Sequence, residues 1–206
     1  MRASIKSMPQ IVADLASRDA HLAKVIKASP LCTLGASSVQ DSNFVSLVES
    51  VVSQQLSVKA ADAIYKKVES AAGSTIEPTS LDRLSDLELR GCGLSNSKVK
   101  TIRGLVDAAI SGQIDFEGLH EIEDDSVIAE QLTALWGIGQ WTVDMFMMHQ
   151  LGRLDVWPVG DLGVRKGWQK IYELPETIEQ KAMANEGDHF KPYRSVVAWY
   201  CWKALD

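Results

Sequence analysis

The sequence predicts an all-helical fold. Three observations lead there. Apolar residues recur at three- and four-residue spacing along most of the chain, Ser or Asp precedes several of these runs with Gly after them, and no segment sustains the apolar-polar alternation of a half-buried strand. No internal repeat is evident. At 206 residues the chain can bury a full core, either as one large domain or as two small interlocked ones.

In chain order, Ile11, Leu15, Leu22, Val25 and Ile26 hold helical spacing up to a break at Ser29-Pro30, and a second break follows at Gly35-Ala36-Ser37-Ser38. Ser42 is placed to cap a helix carrying Phe44, Leu47, Val48, Val51 and Val52, which ends around Ser53-Gln54-Gln55-Leu56. Ser57 then caps a helix with Val58, Ala61, Ile64, Tyr65 and Val68, terminated by Gly73. Pro78 to Asp86 opens one short helix, and Leu87 to Leu94 forms another that Gly91 and Gly93 stop. Ser95 introduces a helix through Val99, Ile102, Leu105, Val106 and Ala109 that ends at Gly112. Its Ser95-Asn96-Ser97-Lys98 phrase has the spacing of a Ser-x-x-Lys nucleophile. The companion Lys-Thr-Gly and Ser-Asp-Asn motifs are missing, so Ser95 reads as a cap. The acidic stretch Asp115 to Asp125 reads as a loop with one short turn, and Asp124 or Asp125 can cap the next helix through Val127, Ile128 and Leu132.

The run from Leu132 to Asp161 organises the rest. Leu132 and Leu135 close a helical stripe, Gly137-Ile138-Gly139 is too glycine-rich to continue it, and a second apolar run starts at Trp141. This is a helix, a tight hairpin and a helix. The glycines let the backbone turn sharply and approach a ligand, while Ile138 can pin the turn to the core. Backbone N–H groups at the start of the second helix favour an anionic oxygen, of which a phosphate is the obvious one. Taken alone, Gly-Ile-Gly is a weak signal, because such turns also join helices that bind nothing. Farther on, Pro158 and Gly160 set Asp161 at the start of a helix through Leu162, Val164, Trp168 and Ile171, where any aspartate could simply be the N-cap. Trp168, Trp199 and Trp202 share helical spacing with Val196, Val197 and Leu205 and are assigned to the core.

A formal charge of -6 argues against a general polyanion binder. Local clusters at Lys59, Lys66 and Lys67, at Lys98, Lys100 and Arg103, at Arg165, Lys166 and Lys170, and at Lys191 and Arg194 could still face one side. The Lys66-Lys67 pair reads as an ordinary solvated face. Cys32, Cys92 and Cys201 lie far apart without metal-ligand spacing, as do the solitary His149 and His189, so a reduced intracellular compartment is expected. The first residues lack the basic start and apolar core of a signal peptide, and no run approaches membrane-spanning length, so the expectation is a soluble protein with no membrane partner.

The whole pattern, from the leucines before the turn through Trp141-Thr142-Val143-Asp144 to the aspartate of Trp157-Pro158-Val159-Gly160-Asp161, resembles the helix-hairpin-helix (HhH-GPD) DNA glycosylases, and within them the 3-methyladenine DNA glycosylase II branch. The resemblance covers nearly the whole chain and implies two helical subdomains with a DNA-binding cleft between them. One, residues 42–155, would be the central helical barrel ending in the hairpin at about 126–151; the other would join 1–41 to 156–206. The extra N-terminal β domain of some relatives has no counterpart. Some relatives carry a four-cysteine iron-sulfur cluster, which three cysteines cannot supply, and no cofactor is required. By the same resemblance, main-chain oxygens of Thr133, Leu135 and Ile138 could hold a structural Na+ or K+ that bridges protein to phosphate.

The implied chemistry is cleavage of an N-glycosidic bond, which develops positive charge on the deoxyribose, so a nearby carboxylate stabilises the transition state and can orient or deprotonate water. Asp161 matches that catalytic position. Relatives that also cut the strand use a lysine amine where this chain has Trp141; an indole cannot form a Schiff base, so hydrolysis without lyase activity is expected. The electron-rich indole instead suits cationic alkylated bases. Tyr193, where relatives place a stacking tryptophan, Trp157, and Met145, where the bacterial type has a tyrosine, would complete the base pocket. Gly137, Ile138, Gly139, Gln140 and Thr142 would grip the DNA backbone, and the Gln54, Gln55, Leu56, Ser57 loop would enter the minor groove. Either Gln55 or Leu56 fills the gap left by the extruded nucleotide, or the leucine packs inward as part of a plain interhelical turn.

The reading is a monofunctional glycosylase that excises alkylated purines, of the 3-methyladenine and 7-methylguanine type, from double-stranded DNA and so starts base excision repair. It would act as a monomer, in the cytoplasm with the nucleoid of a bacterium or in the nucleus of a eukaryote. The alternatives are a non-catalytic helix-hairpin-helix DNA-binding or damage-sensing protein, and a glycosylase for another lesion class.

Overall fold

The computed structural model describes residues 6–35 and 42–206. Among these residues the fold is all-α, with no strand: α1 (Met8–Arg18), α2 (Ala20–Ala28), α3 (Asn43–Ser53), α4 (Val58–Ala71), α5 (Pro78–Asp82), α6 (Asp86–Gly91), α7 (Asn96–Ile110), α8 (Asp125–Thr133), α9 (Gln140–His149), α10 (Leu162–Ile171), α11 (Gln180–Glu186) and α12 (Arg194–Lys203). Short 3-10 turns occupy Glu117–Glu121 and Asp188–Phe190. Among the described residues no helix is long and apolar enough to cross a membrane. Of the break predicted at Gly35-Ala36-Ser37-Ser38, Gly35 is described and lies in a turn with φ +70°, while Ala36, Ser37 and Ser38 lie outside the described residues.

The chain divides into two compact units, Val39–Phe146 and Met1–Ser38 together with Met147–Asp206. In the central unit α3 is the core helix. Its Leu47, Val48, Val51 and Val52 are fully buried against α4 and α7, whose Val68, Ile102, Leu105 and Val106 are equally inaccessible. Each such side chain contributes roughly 1.5–3 kcal/mol of burial. Phe44 meets Phe116 edge to face at 5.6 Å, and the buried Asn43 amide donates to the Phe116 carbonyl at 2.8 Å, so the acidic 115–125 segment is tied back to the start of α3.

In the terminal unit α12 is buried on every side from Ser195 to Cys201, packed by α2 and α10. A helix that is apolar all round belongs inside. The spacing from Ile11 to Ile26 predicts one run, but the structure breaks it at Asp19, which takes extended backbone (φ -145°) and accepts from Leu22 N–H to cap α2. That break lets α1 fold back on α2 and bury Leu15 and Leu22. The helix α11 carries no strong periodicity and was absent from the sequence-based expectation.

The segment 147–155, which the resemblance groups with the central barrel, clusters with the terminal unit. The reason is a set of bonds to the start of α12. Arg194 grips both carboxylate oxygens of Asp155 at 2.9 Å, Ser195 N–H donates to the Leu154 carbonyl at 2.9 Å, and Val156 N–H donates to Ser195 Oγ at 2.8 Å. The fork-shaped ion pair adds direction as well as attraction, and Ser195 is completely buried.

Candidate active site

The carboxylate lies in the terminal unit. Pro158 accepts from Asp161 N–H at 2.9 Å, closing the turn that delivers the half-buried aspartate to the start of α10. Asp161 is the N-cap: its Oδ1 accepts from Val164 N–H at 2.7 Å. The same oxygen accepts a second bond, from Trp202 Nε1–H at 2.9 Å. Trp202 is half-buried and in turn lies against His149, the rings nearly parallel (22°) with centroids 5.8 Å apart. This indole is absent from the predicted site, where it is read as packing; its helical spacing with Trp199 and Leu205 masks the polar edge, and Leu205 itself is exposed.

Trp157 and Tyr193 belong to the same unit. The Trp157 indole donates to the Met183 carbonyl at 2.8 Å and meets Trp168 edge to face at 5.6 Å, so its nitrogen and one ring edge serve packing. Tyr193 is the half-buried N-cap of α12, with the Lys6 ammonium 5.7 Å and the Arg18 guanidinium 5.9 Å from its ring centroid. A cavity of about 660 Å³ in this unit lies at the opposite end of α10 from Asp161, between the last turns of α2, α10 and α12. Its Lys170 and Lys203 stand in the last turns of α10 and α12, where cations offset the helix dipole, and it is remote from the carboxylate along the helix.

The hairpin and the loop lie in the central unit. After α8 the chain turns through Leu135 N–H to Leu132 O and Ile138 N–H to Leu135 O, and Ile138 is buried while Gly137 and Gly139 are exposed. Gly137 is required twice. Its φ is +83°, and a Cβ there would fall 2.0 Å from Thr101 Oγ1. Around Gly139 a Cβ would meet nothing within 4 Å, which leaves the first backbone N–H groups of α9 approachable. Trp141, in that first turn, is 46 % exposed. Trp136, just before the turn, is 50 % exposed with the Lys100 ammonium 4.1 Å from its ring centroid. Trp136 was not among the predicted site residues, although an aromatic directly ahead of the glycine turn and outside the leucine stripe was the available signal.

Thr142 is buried and accepts from the Gln54 side chain at 3.4 Å, linking loop to hairpin helix. The sequence places Asp144 as a hydrogen-bonding residue on the helix surface, one turn from Gln140; Gln140 does donate to it at 2.8 Å, but Asp144 is buried, 6 % exposed. Met145 is half-buried on the same helix. In the loop, Gln55 is exposed with φ +58°, a left-handed conformation that few side chains adopt, and Leu56 is 41 % exposed. The inward-packed leucine is therefore not what forms. Ser57 caps α4 through Ala60 N–H. Lys98, its ammonium disfavoured by burial, donates to the Val52 carbonyl at 2.7 Å and ties the base of the loop to α7. Several expected surface cations are likewise tied down within the chain, Arg103 to Asp86, Leu81 and Leu84, Arg165 to Ile178, and Arg194 to Asp155, whereas Lys191 pairs with Asp188 on the exposed surface.

Among the described residues no group of three His, Cys, Asp or Glu could hold a metal ion, and Cys32, Cys92 and Cys201 are buried thiols pushed up by desolvation.

Residues 48–192 match the sequence pattern of a family described as HhH-GPD superfamily base excision DNA repair protein. The chain is 30 % identical over 213 residues to DNA-3-methyladenine glycosylase 1 of Schizosaccharomyces pombe, covering 98 % of this chain and 93 % of that protein. A DNA-3-methyladenine glycosidase from Bacillus halodurans superposes with a TM-score of 0.84 at 39 % identity, covering 94 % of this chain and 88 % of that one. The Schizosaccharomyces pombe 3-methyladenine DNA glycosylase in complex with abasic DNA gives 0.82 at 29 % identity, covering 94 % and 95 %.

Proposed function

Because the chain belongs to the HhH-GPD superfamily of base excision DNA repair proteins, we propose that it is a monofunctional DNA glycosylase that hydrolyses the N-glycosidic bond of alkylated purines, of the 3-methyladenine and 7-methylguanine type, in double-stranded DNA. The observation that carries this reading is Asp161, a half-buried carboxylate at the start of α10 whose Oδ1 is held by two donors. The similarity to 3-methyladenine glycosylases supports the alkylated-base class.

In this mechanism the exposed turn at Gly137 and Gly139 brings the backbone N–H groups of Gln140 and Trp141 to a phosphate. The Gln55-Leu56 tip, held by Lys98 and by the Gln54–Thr142 bond, occupies the space of the extruded nucleotide. Trp141 offers an exposed, electron-rich face to a cationic base. Asp161 faces the anomeric carbon, stabilises the positive charge that develops there as the base departs, and orients the attacking water. An alkylated base leaves readily, so no strong general acid is needed, and with an indole at position 141 no Schiff base forms. The carbonyls of Thr133, Leu135 and Ile138 have the donor chemistry for a monovalent cation, which supports such a site at the hairpin. Thr133 ends α8, where carbonyls lack intrahelical partners, and the Leu135 carbonyl, which accepts from Ile138, has a second lone pair to offer. These oxygens would hold Na+ or K+ and supply positive charge for a phosphate.

The test is release of free methylated bases from alkylated duplex DNA, identified by chromatography, with the strand left uncut. Asp161→Asn retains binding to duplex containing an abasic-site analogue and loses base release. Unchanged single-turnover excision by that variant would refute the assignment.

A further inference from the structure

Capping a helix needs one bond, and Oδ1 of Asp161 accepts a second beside it. Val164 N–H supplies the cap, whereas Trp202 Nε1–H comes from another helix, 41 residues along the chain. A single bond leaves a carboxyl free to swing; two donors from different elements restrain it. Both of these bonds fall on Oδ1 and fix where that oxygen sits.

The fold gives up side chains to bring that donor in. Gly163 and Gly167 lie one helical turn apart on the face of α10 that meets α12. A Cβ on Gly163 would sit 3.0 Å from Asp161 Oδ1 and equally close to Trp202 Cδ1 and Nε1, and one on Gly167 would fall 1.9 Å from the Cys201 carbonyl oxygen. Neither glycine has the positive φ that would explain it by backbone conformation; close approach of α12 is what both permit. His149 covers one ring face and limits the tilt of the indole. Cys201, the neighbour of Trp202, is fully buried with its thiol pushed up by desolvation, so it adds no negative charge beside the acid.

We infer that Trp202 is a positioning residue for the reaction, its indole N–H locking Oδ1 of Asp161 so that the carboxylate meets the sugar in one orientation, with Gly163 and Gly167 as the clearance that admits it. This rests on Asp161 being the catalytic acid. Preorganised charge at a developing cation needs no reorientation as the bond breaks, and placement to within about 0.5 Å is what such sites need.

The experiment compares Trp202→Phe, which keeps the ring and removes the donor, with the wild type and Asp161→Asn. Losing a hydrogen bond to a charged group lowers single-turnover excision about ten- to hundredfold, while affinity for abasic-analogue duplex and the melting temperature stay unchanged. In an Asp161→Asn background the same substitution produces no further loss, because Trp202 acts through that carboxylate. Should Trp202→Phe melt well below the wild type, single-turnover rates of the single and double variants taken at a temperature where all are folded decide: a loss confined to the background that keeps Asp161 supports the inference. Full activity of Trp202→Phe beside an inactive Asp161→Asn, or an equal loss in both backgrounds, overturns the inference. Full activity of Asp161→Asn removes its premise instead, so the two failures are told apart.

Discussion

Gly167→Ala tests how tightly the acid-bearing helix is built. The added Cβ would lie 1.9 Å from the Cys201 carbonyl oxygen, 2.4 Å from its carbonyl carbon and 2.7 Å from its Cα. Ordinary contact begins near 3.4 Å, so α12 must retreat by 3.4 − 1.9 = 1.5 Å. The obstacle is backbone, which no rotamer change relieves. The retreating helix is itself buried on all sides, so Val196, Val197, Ala198 and Tyr200 would be driven into their neighbours. Overpacking of this kind costs about 1–3 kcal/mol, and a backbone clash belongs at the top of that range. For a chain of this length each kcal/mol is about 2–4 °C, so the midpoint of thermal unfolding should fall by roughly 6–12 °C. Gly104→Ala, in the middle of α7 with nothing within 4 Å of its added Cβ, is the control and should melt slightly higher, since alanine is the better helix former. Circular dichroism melts of both variants decide the matter. If Gly167→Ala melts within about 2 °C of the wild type, a margin worth less than about 1 kcal/mol, the close packing of α10 on α12 does not hold in solution.

Two further outcomes follow from the geometry. Gly137→Ala combines a left-handed φ, which costs about 1–2 kcal/mol for a residue with a Cβ, with a clash against Thr101, so it should weaken binding to abasic-analogue duplex in fluorescence anisotropy. Adding Thr101→Ala should recover only part of the loss, and full recovery would count against the backbone strain. Acid should destabilise the fold in a defined direction. The carboxyls of Asp14, Glu88, Asp124 and Asp188 are held below their ordinary range by hydrogen bonds from Arg18, Ser85, Ser126 and Lys191 respectively. A depressed pKa in the folded state stabilises it above the unfolded value, an effect lost as pH falls through the folded one. The melting temperature should therefore hold from pH 7 to about 5 and decline below about 4, with Glu88→Gln flattening the decline; an unaltered slope in that variant would remove Glu88 from the explanation.

The residues that announce themselves in the sequence act over short chain distances. Ser42, Ser57, Ser95, Asp124 and Asp161 each accept a hydrogen bond from a backbone N–H two or three residues on, and each is placed by its position ahead of an apolar run. The left-handed Gly73, Gly112 and Gly137 end or turn their helices where glycine is the residue that suits. Asp19 escaped because the apolar spacing stays in phase across it, so periodicity alone cannot register a cap inside a continuous stripe. The spacing of Asp144 one turn after Gln140 marks their hydrogen bond, but not the burial of the pair, which depends on what packs over the helix; the bond helps make that burial tolerable.

Composition, helical period and capping chemistry settled the all-α class, the order of most helices, the glycine hairpin and the position of Asp161, since each of these depends on neighbours within about one helical turn. Which side chains hold that acid, and which tie the Gln54 loop to the hairpin, depended on pairs 41 and 88 residues apart. Such pairs leave no mark on local spacing. Trp202 has the same place in the apolar stripe whether its nitrogen meets a carboxylate or nothing, and only the approach of α12 to a glycine face of α10 decides between them.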